Sequence, residues 1–265
     1  MTDRHARFAY LDAPTPLAFA HRGGAATAGE NTADAFAYAI ALGYRYLETD
    51  VRATRDGVAV LLHDPTLERV AGLPAAVADL SWADLATVRV GGAAAVPALA
   101  EMLAAWPRAR FNLDVKADAA VEPALAAVRR CAAEDRVLLA SFSDARLARL
   151  RRLAGPKMAS SLGRRAVARL KLASLGPPAA LARPRLPPTA VAAQVPRRAG
   201  RVPVVDARFI RYAHRRGLQV HVWTVDEPAH MHELLDLGVD GIMTDHVEVL
   251  REVYRSRGCW HPGTE

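Results

Sequence analysis

Glu48 and Asp50 stand two residues apart in the strand-like run "YRYLETDV". Residues of equal parity on a strand project to one face, so the two carboxylates share a surface. Asp114, in "NLDVK", lies at the matching end of a later strand and can add a third carboxylate. Acids crowded in this way raise each other's pKa unless a cation is shared among them. Three hard oxygen donors suit Mg²⁺ or Ca²⁺. Alternatively, Glu48 or Asp50 forms an ion pair with Arg22, Arg52 or Lys116.

Two histidines end the neighbouring apolar runs, His21 after "PLAFA" and His63 after "VAVLL". Imidazole titrates near neutrality, so a pair converging on one cluster can divide proton transfer: one takes a proton from an attacking oxygen, the other protonates a leaving oxygen. Arg22, beside His21, offers a fork of donors suited to phosphate. The glycines of "HRGG" allow backbone to approach a ligand closely.

These side chains can meet only if the elements carrying them end at one place. Short apolar runs alternate with alanine-rich amphipathic ones. Strands are expected at Pro16–His21, in "YRYLETDV" and "VAVLLHD", and at Arg110–Val115, Arg136–Phe142, Lys157–Leu162, Ala190–Val195, Gln219–Val225 and Gly241–Asp245. Helices fit between most of them; the first is expected to be capped by Asn31, with Asp34 completing a box-like start, and to end at Gly43. Such alternation predicts an α/β fold with a parallel sheet, and the length suits a TIM (β/α)8 barrel. Nine runs are one too many for eight strands. Since "RATRDG" is too short for a parallel crossover, "VAVLLHD" is expected to be the returning arm of a β-hairpin at the barrel mouth. A short insertion over 65–96 follows the hairpin, and the proline-rich stretch Leu175–Pro188 is expected to be a surface loop. One domain is expected, with its core at 17–252.

Composition limits the alternatives. With 265 residues, 51% hydrophobic and 24% charged, the chain can bury a full core. No run reaches the roughly 20 apolar residues of a membrane span, and no signal-peptide pattern opens the sequence. A soluble, cytoplasmic protein without stable membrane insertion is expected. Cys131 and Cys259 have neither the number nor the spacing of a disulfide framework or zinc site. A net charge of +7 suits an anionic partner, although helical spacing puts many arginines on solvated faces.

The ordered set "HRGG", "ENT", "ETDV", "DG", "HD", "NLDVK", "VWTVDE" and "GVDGIMTD", from Ala18 to Leu250, resembles the glycerophosphodiester phosphodiesterase family. The resemblance implies a barrel enzyme that uses a divalent cation to split a small-molecule glycerophosphodiester into sn-glycerol 3-phosphate and an alcohol. Position by position, it implies that His21 and His63 are the acid-base pair, that Glu48, Asp50 and Asp114 hold the metal, and that Arg22 and Lys116 contact phosphate. Glu30 of "ENT" would lie beside the site, and Trp223 would form an apolar wall. Asp114 stands where the family usually has Glu, and His246-Val247 where Arg-Pro is common. The short insertion suits the compact bacterial cytoplasmic type. A lysophospholipase D-like enzyme would use the same residues on a lipid, and a silent binding barrel would keep the fold. Few aromatics are present to stack bases, which argues against nucleic acid.

Overall fold

A computed structural model describes residues 8–176 and 185–263. Eight parallel strands close into a barrel: β1 Leu17–Ala20, β2 Tyr46–Ala53, β4 Arg110–Val115, β5 Val137–Ala140, β6 Ala159–Ser161, β7 Ala190–Pro196, β8 Gln219–Trp223 and β9 Gly241–Thr244. Each pairs with its neighbours in sequence, and β1 closes the ring by pairing with both β2 and β9. Eight helices run back along the outside: α1 Ala33–Ala41, α2 Leu99–Ala105, α3 Val121–Arg130, α4 Asp144–Ala154, α5 Arg164–Ala173, α6 Ala207–Arg215, α7 Pro228–Leu237 and α8 Val247–Ser256. Because all eight strands are parallel, every strand-to-helix loop opens at one end, the mouth.

The ninth run is the expected hairpin arm. β1 stops at Ala20, opposite Leu47, so the edge of β2 beyond that point needs another partner. Strand β3, Ala59–Leu61, takes it, running antiparallel with Val51 opposite Leu61 and Ala53 opposite Ala59. The chain therefore travels back up β2, and Leu62 N–H still donates to Asp50 O at 3.0 Å, which brings His63 to the level of the acids. The insertion after it folds into short two-stranded pieces, Thr66–Leu67 with Leu73–Ala76 and Arg89–Val90 with Ala94–Ala95. Val60, Leu62, Leu67, Val77, Leu85, Val88 and Val96 pack into its own apolar cluster.

Parity sorts the core into two layers. Leu47 and Val51 of β2, with Phe111, Leu113 and Val115 of β4, face outward and pack under the helices. Tyr46 points inward with Leu17, Phe19, Leu138 and Met243. Phe8, Tyr10 and Leu11 join this inner cluster, Tyr46 donating its hydroxyl to Tyr10 O at 2.8 Å.

Three local expectations change. Thr32 caps α1, its hydroxyl accepting from Ala35 N–H at 3.2 Å, while Asn31 takes a left-handed φ of 56° that turns its side chain inward. Gly43 does end the helix region, at φ 95°. Six strands are shorter than their apolar runs, while β4 matches its expected range, β7 gains Pro196 and β2 runs on to Ala53; His21 begins a 3-10 turn, His21–Gly23, instead of ending β1. The proline-rich stretch falls partly on 177–184, outside the described residues.

Candidate active site

The inward parity of β2 and β4 carries the acids to the mouth. Asp50 and Asp114 are direct register partners, and Glu48 lies one inward position deeper, opposite Asn112. All three are buried, at 5%, 1% and 5% exposure for Glu48, Asp50 and Asp114. Below them Gln194 donates to Asn112 Oδ1 at 3.0 Å, and His221 and Gln219 bond at 2.8 Å, which makes a polar floor.

The acids differ in their company. Lys116 Nζ sits between Asp114 Oδ2, 2.5 Å away, and Asp50 Oδ1, 2.8 Å away. Arg22 Nε lies 3.0 Å from Asp50 Oδ2, near enough for an ion pair although its N–H is not aimed as a hydrogen bond. Asn31 Nδ2 donates to the same oxygen at 3.1 Å. Burial is the largest influence on Asp50 and opposes its charge, yet Lys116 and Arg22 together outweigh it and lower the pKa. Glu48 lacks such partners; burial first, and the neighbouring Asp50, push it up to about 7 against the pull of His21. Burial also raises Asp114, whose Oδ1 has no hydrogen-bond partner. The ion-pair alternative thus describes Asp50 in part, with Arg22 and Lys116. Arg52 is elsewhere, donating to His63 O at 2.9 and 2.6 Å.

Both histidines are held by an aspartate at Nδ1. His21 Nδ1 lies 2.7 Å from Asp245 Oδ1, and His63 Nδ1 lies 2.7 Å from Asp64 Oδ1. A carboxylate only accepts, so each Nδ1 carries the proton and each Nε2 is left for other chemistry. His21 Nε2 faces Glu48 Oε2 at 3.7 Å. Burial works hardest against charge on His21, but Glu48 and Asp245 prevail and raise its pKa.

The rim is tied together by ions. Arg22 Nη1 donates to both Glu30 oxygens at 3.2 Å, and its main-chain N–H donates to Glu48 Oε2 at 3.2 Å. Arg69, on the short insertion helix Glu68–Ala71, grips Glu30 at 2.6 and 2.8 Å and Asp64 at 2.5 Å. Arg22 holds φ 51°, a left-handed strain that the surrounding contacts maintain. Trp223 ends β8 and meets Phe142 edge-on at 5.4 Å, and Lys116 Nζ lies 5.2 Å from the Phe142 ring centre.

All the residues expected at the site, His21, Arg22, Glu30, Glu48, Asp50, His63, Asp114, Lys116 and Trp223, therefore come to the mouth end. The glycines of "HRGG" do something else. A Cβ on Gly23 would sit 2.8 Å from Ala35 Cβ, and one on Gly24 would sit 2.7 Å from Val247, so these glycines admit α1 and α8 instead of a ligand. Asp245, Asp64, Arg69, Asn31 and Phe142 were not anticipated. Asp226 was also missed; its Oδ1 accepts from Thr244 hydroxyl and Asp245 N–H, both at 2.9 Å, and so steadies the "TD" turn. The adjacency of His63 and Asp64 offered a hint, and Asn31, Asp226 and Asp245 lie within the quoted motifs "ENT", "VWTVDE" and "GVDGIMTD", whereas Arg69 and Phe142 carried no signal. His246, at the unusual motif position, precedes α8 and donates its main-chain N–H to Thr244 Oγ1.

Comparison with known proteins identifies the family and the fold. The model of the glycerophosphoryl diester phosphodiesterase family matches residues 21–249. The chain is 46% identical over 246 residues to a probable glycerophosphodiester phosphodiesterase 2 of Mycobacterium tuberculosis, covering 92% of each. In structure it resembles a putative glycerophosphoryl diester phosphodiesterase from Silicibacter pomeroyi, with TM-score 0.77, 24% identity and coverage of 97% and 100%. It also resembles an Oleispira antarctica phosphodiesterase solved with the product sn-glycerol-3-phosphate, with TM-score 0.76, 18% identity and coverage of 91% and 97%. The chain belongs to the glycerophosphoryl diester phosphodiesterase family.

Proposed function

We propose that the chain hydrolyses glycerophosphodiesters to sn-glycerol 3-phosphate and an alcohol, with His21 and His63 as the acid-base pair. The single observation that carries the catalytic part is the pair of His–Asp dyads, His21–Asp245 and His63–Asp64, beside one buried acid cluster. In either of two routes, an oxygen nucleophile forms a new bond to phosphorus as the bond to the leaving oxygen breaks. The nucleophile is water or the glycerol 2-hydroxyl; the second yields a cyclic phosphate that water then opens. One Nε2 accepts the proton that the nucleophile loses, and the other delivers a proton to the leaving alkoxide. Arg22 and Lys116 bind the phosphoryl oxygens, the planar fork of Arg22 setting orientation. Trp223 and Phe142 line the path of the leaving alcohol.

A divalent cation is part of the proposal. Among the described residues no three His, Cys, Asp or Glu side chains are drawn together as a finished metal site, and Lys116 stands between Asp50 and Asp114. The donors nonetheless fit. Glu48, Asp50 and Asp114 are hard oxygen ligands on adjacent strands, Asp114 Oδ1 is buried without a partner, and Glu48 is an acid short of positive charge. These three would hold Mg²⁺ or Ca²⁺. Bound there, the cation would offset charge gathering on the phosphoryl oxygens.

Among the described residues no helix is long and apolar enough to cross a membrane. Cys131 and Cys259 are free thiols, which supports a reducing, cytoplasmic location. The proposal is tested by assaying glycerophosphocholine, glycerophosphoethanolamine, lysophosphatidylcholine and bis(p-nitrophenyl) phosphate for phosphodiester cleavage, with and without added metal. Release of glycerol 3-phosphate from the first two, lost in His21→Ala and His63→Ala, supports it. Turnover of lysolipid alone, or of the generic diester equally well, refutes glycerol recognition.

A further inference from the structure

Charge is distributed very unevenly around the barrel. Residues 143–217 carry 18 of the 35 basic residues and two of the 28 acidic ones, Asp144 and Asp206. In a (β/α)8 barrel consecutive segments lie side by side, so the described residues of this stretch form one arc of the wall, α4 to α6, with the loops above it. On the mouth side of that arc, Arg164 and Arg165 open α5, Arg208 opens α6, and Arg198 and Arg201 sit on a small hairpin after β7. All five are exposed, and among the described residues no acid forms an ion pair with any of their guanidinium groups, although the main-chain N–H of Arg165 donates to Asp144.

Apolar exposure follows the same arc. Among the described residues five large hydrophobic side chains are exposed; three lie here, Leu172, Leu175 and Val202, and a fourth, Phe142, immediately precedes the arc. Val202, 62% exposed, is on the arginine hairpin, and Phe142, 49% exposed, leans over the mouth. Leu172 and Leu175 lie at the far end of α5 or just after it. The hairpin, Arg198–Ala199 with Val202–Pro203, is exposed on every residue and packs no core.

We infer that the mouth-side rim of this arc is a docking surface for an anionic lipid bilayer. Arginines neutralise the headgroup charge while Val202 and Phe142 enter the headgroup layer, the mixed pattern of an interfacial surface. Nucleic acid would also meet the charge, but Val202, the apolar group standing among the hairpin arginines, is aliphatic and offers no face on which a base can stack. Docking in this way turns the mouth toward the membrane without a spanning segment. Each arginine brought to such a surface strengthens binding roughly fivefold, and the attraction is screened by salt.

The full chain would be sedimented with vesicles of equal parts phosphatidylglycerol and phosphatidylcholine, and with phosphatidylcholine alone, at low and high salt. Binding is expected to the anionic vesicles only, to fall at high salt, and to weaken at least about tenfold in the double variant Arg198→Glu, Arg201→Glu. Hydrolysis of soluble glycerophosphocholine should be unchanged in that variant, which verifies its fold. If wild type fails to hydrolyse it, the proposed activity falls, and vesicle binding still reads the docking surface, with circular dichroism as the fold control. Four outcomes would overturn the inference: no binding, equal binding to neutral vesicles, undiminished binding by the double variant, or tighter binding to random duplex DNA than to vesicles. Loss of binding in Leu172→Ser, Leu175→Ser but not in the hairpin variant would overturn the mouth-side orientation.

Discussion

Arg69 and Glu30 form a two-pronged ion pair, 2.6 and 2.8 Å, that joins the insertion to the loop after β1. Through its Nε, Arg69 also holds Asp64, the partner of His63. Arg69 is half exposed, so removing the pair should cost stability only about 0–1 kcal/mol. Its effect on catalysis should be larger because it positions His63 through Asp64. Arg69→Ala is expected to lower kcat by about tenfold or more with little change in melting temperature, a range typical for supports of functional side chains. Arg69→Lys, which cannot reproduce the fork, should recover only part of the loss. Unchanged kcat in Arg69→Ala would mean that Asp64 holds His63 unaided.

Asp245→Asn tests the first dyad. The amide can donate to Nδ1 as well as accept, so His21 loses its fixed tautomer. Turnover should fall by about 10²- to 10⁴-fold, approaching His21→Ala. Because the two residues act as one unit, the double variant should be scarcely worse than either single one. Additive losses in steady-state kinetics would separate them.

Metal dependence has a structural readout as well as a kinetic one. Chelation should abolish glycerophosphodiester turnover, and Mg²⁺ or Ca²⁺ should restore it. Titration calorimetry should detect binding that Asp50→Asn and Asp114→Asn weaken, since each removes one charged oxygen ligand. Full activity in metal-free protein would defeat the assignment.

Asn31 and Thr32 are adjacent but should behave differently. Thr32→Ala removes the cap of α1, at about 1 kcal/mol, and should lower the melting temperature by about 2–4 °C while leaving turnover nearly intact. Asn31→Gly tolerates the positive φ but gives up the bonds to Asp50 and Thr49, so its larger effect should be on kcat.

Acid should erase one helix-end contact. Asp206 caps α6 by accepting from Phe209 N–H at 2.8 Å and pairs with Lys171 at 2.5 Å. Burial is the largest single influence and raises its pKa, but these hydrogen bonds together lower it. A lowered folded pKa means that the stabilisation is present above the unfolded value, about 3.8, and is lost as pH falls through the folded one. Asp206→Asn keeps a capping oxygen and loses the charge. It should therefore melt slightly below wild type at neutral pH, with the gap closing at strongly acidic pH.

Alternation of period two and 3.6 was enough, from sequence, for the barrel, the hairpin arm and the shared inward face of Glu48 and Asp50, because these depend on strand parity and connection length. His21, Arg22, His63 and Asp114 were likewise recognisable as candidates, since each lies at or beside the end of an apolar run, whereas Lys116 as a phosphate contact followed only from the family resemblance. Contacts made across barrel closure were not. Asp245 is 224 residues from His21 and reaches it only because β1 pairs with β9, Ala20 opposite Thr244. Arg69 finds Glu30 because β3 brings the insertion back to the rim. Between Asn31 and Thr32, both good capping types, the choice fell to the left-handed turn that buries Asn31 against Asp50. The excess of arginine could be counted in the chain, but its concentration on one arc exists because the barrel lays consecutive units side by side.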